Sequence, residues 1–105
     1  MSKWDNSKSE NLMKAILALR NMKEAKRFFR DLLTQQEIIE FGKRWQVAQM
    51  LSNRIPYPLI RKETGLSPTT IARVSKWLNR GKGGYKLMLQ RLHHHNPSSF
   101  GKELC

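Results

Sequence analysis

A chain of 105 residues with 20 Lys and Arg against 8 Asp and Glu has a net charge of +12. That is enough chain for one modest core, and the charge suits a polyanionic partner. Its single cysteine, Cys105, allows no intrachain disulfide and no cysteine-based zinc set, which fits a cytoplasmic setting. No apolar run nears the roughly 20 residues of a membrane helix, and the polar Met1-Ser2-Lys3-Trp4-Asp5-Asn6 does not read as a signal peptide.

Apolar residues recur at helical rather than alternating spacing, which predicts an all-α fold of five to six helices. Ser7 or Ser9 is expected to cap a first helix reaching about Leu33, with Leu12, Ile16, Leu19, Met22, Phe29 and Leu33 as its stripe. Thr34 followed by Glu37 reads as a capping box that opens a second helix. Ile38, Phe41, Trp45, Ala48 and Leu51 lie along one side of it, with Lys43 and Arg44 off that stripe. Pro56 and Pro58 end this helix and launch the next.

From Tyr57 the sequence YPLIRKETGLSPTTIARVSKWLNRGKGG reads as a helix-turn-helix, at about residues 57–78. Leu59, Ile60, Thr64, Leu66, Ile71, Val74 and Leu78 have the spacing of a seam shared by two short helices. Gly65 suits the turn between them, and Ser67-Pro68 supplies an N-cap with proline at the first helical position. A plain helical hairpin would need the same glycine and apolar positions, so the charge around the motif decides the reading. Residues 1–40 hold eight basic and six acidic side chains, whereas residues 41–102 hold twelve basic ones and only Glu63 against them. A glycine-rich basic break, Asn79 to Gly84, precedes a last helix, Tyr85 to about His94, expected to bury Leu87, Met88 and Leu92. The domain is read as residues 1–95, with 96–105 as a flexible tail.

On this reading the second helix of the motif enters the major groove. Pro68, Thr69, Thr70 and Arg73 are its candidates for base readout, Arg73 being suited to bidentate contact with guanine. Lys62, Ser67, Lys76, Arg80 and Lys82 are candidates for phosphate contact. Trp45, Trp77, Phe28 and Phe29 read as core or interface aromatics. His93-His94-His95 point about 100° apart on a helix and do not form a metal site. The acidic residues form no paired constellation. Gly81-Lys82-Gly83-Gly84 lacks both the strand and the Lys-Ser/Thr pair of a phosphate loop, so an enzyme is not expected.

From Phe28 to about Leu92 the chain resembles the Trp repressor superfamily, in its YerC/YecD-type branch. The resemblance is carried by FFRDLLT at 28–34, RWQVAQML at 44–51, TGLSPTTIARV at 64–74 and LNRGKGGY at 78–85. It implies an intertwined homodimer that binds double-stranded DNA as a sequence-specific transcriptional regulator, with repression as the simplest mode. Two long apolar stripes on so short a chain also favour burial against a second copy.

In tryptophan-binding members, a threonine and two arginines hold the ligand. The matching residues here are Thr34, Arg44 and Arg73. A glycine of those members is Val74 here, and a small serine is Trp77. The resemblance therefore implies a candidate effector pocket (Thr34, Arg44, Arg73, Val74, Trp77) that is filled from within or reshaped for a ligand other than tryptophan. No cofactor and no membrane partner are expected. The alternatives are a sequence-blind architectural nucleic-acid binder and a protein-docking module, since fold alone does not fix function.

Overall fold

The computed structural model describes residues 3–95, and the expected tail at 96–105, with Cys105, lies outside them. The described residues form six helices and no strand: α1 (Ser7–Leu17), α2 (Met22–Leu32), α3 (Gln35–Ser52), α4 (Tyr57–Thr64), α5 (Pro68–Arg80) and α6 (Gly84–His95). The chain divides into two compact units, Met1–Ile38 and Ile39–Cys105.

In the first unit the single helix expected up to Leu33 is two. Asn6, not Ser7 or Ser9, caps α1: its Oδ1 accepts the amides of Lys8 and Ser9 at 2.9 and 3.1 Å. Ser9 completes the box by accepting the Asn6 amide at 2.9 Å. The chain leaves the helix after Leu17 because Asn21 starts a new one. Asn21 Oδ1 accepts the Glu24 amide at 2.9 Å, and Glu24 Oε1 accepts the Arg20 amide at 3.0 Å. Phe28 and Phe29 meet edge to face, with centroids 5.5 Å apart. No residue of α1 or α2 is buried.

The capping box at the start of α3 forms as the sequence predicts. Thr34 donates its amide to Glu37 Oε1 at 2.9 Å, and its Oγ1 accepts the Glu37 amide at 3.1 Å. The amide bond, and then the hydroxyl contact, hold the exposed Glu37 carboxyl below its usual pKa.

The core of the second unit is Val47, Ala48 and Met50 of α3, Ile60 of α4, and Ile71 and Val74 of α5. Trp45, Leu51, Ile55, Leu66 and Tyr85 pack against it, with Trp45 and Tyr85 stacked at 6.3 Å. Four expectations change here. Phe41 is exposed rather than buried along the stripe of α3, Leu59 is exposed rather than in the seam of the two short helices, and Trp77 is half-exposed rather than core. In α6, Leu89 is the buried residue, while Leu87, Met88 and Leu92 face outward.

Candidate nucleic-acid interface

The helix-turn-helix is α4, a three-residue turn and α5. Proline at both starts and a left-handed Gly65 (φ 71°) at the end of α4 give the chain its corner. Ser67 then caps α5, its Oγ accepting the Thr70 amide at 3.2 Å. Its hydroxyl also pairs with Thr70 Oγ1 at 3.1 Å, so both hydroxyls are engaged within the cap.

Within α5 the two faces divide cleanly. Ile71 and Val74 are buried and Leu78 is half-buried. Pro68, Thr69, Arg73, Lys76 and Arg80 are exposed, and Thr70 is half-buried between the two sets. Thr69, Arg73, Lys76 and Arg80 follow one another at three- and four-residue steps, which aligns them along a single helical face. Ala72, Ser75 and Asn79 join Lys76 and Arg80 in lining a shallow recess on that helix. The sequence reading passed over these three. Counting three residues on from Thr69 reaches Ala72, and seven more reaches Asn79, so the signal was present. Lys62 of α4 and Lys82 beyond α5 are also exposed.

The electrostatics are one-sided. Glu63 is the one carboxylate between residues 41 and 95, and among the described residues Arg73 makes no ion pair. Lys76 Nζ lies 5.5 Å from the centre of the Trp77 ring, a cation–π contact that leaves the charge in place.

The candidate effector residues fall in different surroundings. Thr34 is exposed and its hydroxyl is engaged with Glu37. Arg44 pairs with Glu40 at 3.6 Å and lies over Phe41 at 5.8 Å. Arg73 is exposed on α5, whereas Val74 is 2% exposed within the core cluster. Trp77 instead lines an open groove with Trp45, Lys82, Gly84, Tyr85 and Met88. Among the described residues no three His, Cys, Asp or Glu are grouped to hold a metal. The side chains of His94 and His95 lie outside that description. No described helix is long and apolar enough to cross a membrane.

Residues 7–93 match the family described as Trp repressor protein. The chain is 39% identical over 93 residues to the uncharacterised protein YerC of Bacillus subtilis (strain 168), covering 89% of each. A TrpR-like protein from Eubacterium eligens superposes with a TM-score of 0.83 at 40% identity, over 86% of this chain and 93% of that one. A candidate Trp repressor from Staphylococcus aureus superposes at 0.81 with 35% identity, over 88% and 95%.

Proposed function

Because the chain belongs to the Trp repressor family, whose members are DNA-binding regulators and not enzymes, we propose that it is a sequence-specific transcriptional regulator. It reads double-stranded DNA as a homodimer through α4 and α5, and it represses by occupying its operator. The observation that carries this reading is the outward face of α5. Thr69, Arg73, Lys76 and Arg80 stand exposed in one line on a helix whose opposite face is buried. A donor-rich, cationic helix of thirteen residues has the shape and chemistry to lie in the major groove. Arg73 contacts base edges, with Thr69 beside it. Lys62, Lys76, Arg80 and Lys82 neutralise phosphates.

Two features support the homodimer. The helices α1 and α2 carry apolar stripes yet bury none of their residues, and the outward Leu87, Met88 and Leu92 of α6 leave a further apolar strip. A second copy gives both a surface to bury against. Two copies also present paired α5 helices to half-sites about one helical turn apart. On this reading the regulator works without tryptophan, because the sequence resemblance matches Val74 and Trp77 to a glycine and a small serine of tryptophan-binding members. The cytoplasm, where a chromosome is accessible, is its setting.

Selection of bound duplexes from a random library tests the reading. Enrichment of a short palindrome is the expected result. Salt-sensitive binding without enrichment would replace it with an architectural role, and no binding to duplexes would leave a docking module.

A further inference from the structure

We propose that Thr64, at the end of α4, is a positioning residue for DNA reading, its hydroxyl fixing how α5 is presented to the groove. The inference rests on the DNA-binding reading above and deepens it. Thr64 is the one buried polar side chain among the described residues, at 4% exposure. Its Oγ1 donates to the carbonyl of Ile60 at 2.7 Å, one turn back in α4. The same oxygen accepts the amide of Leu66 at 3.2 Å, beyond the left-handed Gly65. A hydroxyl has a single hydrogen, and here it points into α4 while a lone pair points into the turn.

One residue beyond Leu66, Ser67 Oγ accepts the Thr70 amide in the first turn of α5. The Thr64 bridge and the Ser67 cap, joined by the Leu66–Ser67 peptide bond, therefore link the backbone of α4 through the turn to the start of the reading helix. Thr69, Thr70 and Arg73 all lie within the first two turns after that link.

Burial alone does not call for this hydroxyl. Valine has the same shape and would fill the site without desolvating a polar group. What oxygen adds is direction: it ties the Leu66 amide to a fixed point on α4, and without it that amide loses its partner. The apolar contacts of Ile60, Ile71 and Val74 hold α4 and α5 together by burial, which is non-directional. The hydroxyl bridge is directional, because hydrogen bonds weaken steeply with angle. Base readout depends on small rotations of α5, whereas phosphate contact by long lysine and arginine side chains does not.

The test compares the full chain with Thr64→Val and Thr64→Ser, measuring affinity for the selected palindrome and for random duplex at the same salt, with Tm recorded for each. The expected result for Thr64→Val is a fall of roughly tenfold in the ratio of specific to random affinity, about the effect of one mismatched base pair. Its salt slope should be unchanged. Thr64→Ser, which keeps the oxygen, should keep the ratio. If the valine variant does not fold, Thr64→Ala takes its place with the same expectation. An unchanged ratio in a folded valine or alanine variant would overturn the proposal, as would equal losses in the valine and serine variants, which would point to packing. A wild-type protein with no preference between the two duplexes would instead overturn the regulator reading, and this inference with it.

Discussion

Replacing Lys76 and Arg80 together by glutamine should halve the salt dependence of DNA binding. Both side chains are exposed, they lie four residues apart on α5, and neither is paired with a carboxylate among the described residues. With Lys62 and Lys82 they give four candidate phosphate contacts per copy. Each neutralised phosphate contributes about 0.9 to the slope of log K against log salt, so a pair of copies should show a slope of about −7. The double variant removes two contacts per copy and should show about −3.6. Over a fourfold rise in salt, the wild-type would lose roughly 10⁴ in affinity and the variant only about 10². Fluorescence anisotropy on a random 20-base-pair duplex, titrated at several salt concentrations, reads this directly. Helix content by circular dichroism should not change, because neither side chain is buried. A variant slope equal to the wild-type slope would refute the placement of DNA along this face of α5.

Arg73→Ala should narrow the gap between selected and random duplex, whereas an equal loss on both would remove Arg73 from base readout. Ile71→Ala empties a fully buried position in the core and should cost about 2–5 kcal/mol, visible as a lower urea midpoint. Gly81→Ala should be more harmful than Gly65→Ala. A Cβ on Gly81 would run into the backbone carbonyl of Trp77, while one on Gly65 meets open space and incurs only left-handed strain of about 1–2 kcal/mol. Tm measurements rank the two. Glu37 has a depressed folded pKa, so its contribution to stability is present above the ordinary carboxylate value and is lost as pH falls through the folded one. Glu37→Gln should therefore flatten the acid side of the stability curve, and an unchanged curve would discount the capping box.

The features readable in the sequence are those written in local chemistry. Thr34 and Glu37 satisfy each other's amides across three residues, and Gly65 and Ser67-Pro68 meet demands of the backbone at their own positions. Such signals need no knowledge of what packs where. The break between α1 and α2 is not legible in the sequence because Ala18 and Leu19 are ordinary helix formers that continue the stripe. The side chains of Asn21 and Glu24, which accept the amides of Glu24 and Arg20 at the start of α2, end the run. In α6, Leu87, Met88, Leu89 and Leu92 offer apolar residues on several faces, so periodicity cannot choose among them; packing beside α5 selects Leu89. Trp77 departs from expectation for a related reason. A large aromatic three residues on from the buried Val74 reads as core, yet Trp77 is half-exposed and lines the open groove with Trp45 and Tyr85. Arg73, Lys76 and Arg80, read in the sequence as separate base and phosphate candidates, are all exposed on α5.

The separation of the two faces of α5 also bears on how such a regulator changes over time. Side chains that hold the unit together, Ile71 and Val74, are not those proposed to meet the groove, the exposed Thr69 and Arg73. Substitutions on the outer face can therefore retarget a gene-control circuit without drawing on the small stability reserve of a compact domain. Duplicated copies of the gene could diverge toward new promoters while sharing one scaffold. An engineer could use the same freedom, randomising the outer positions and leaving the inner ones alone.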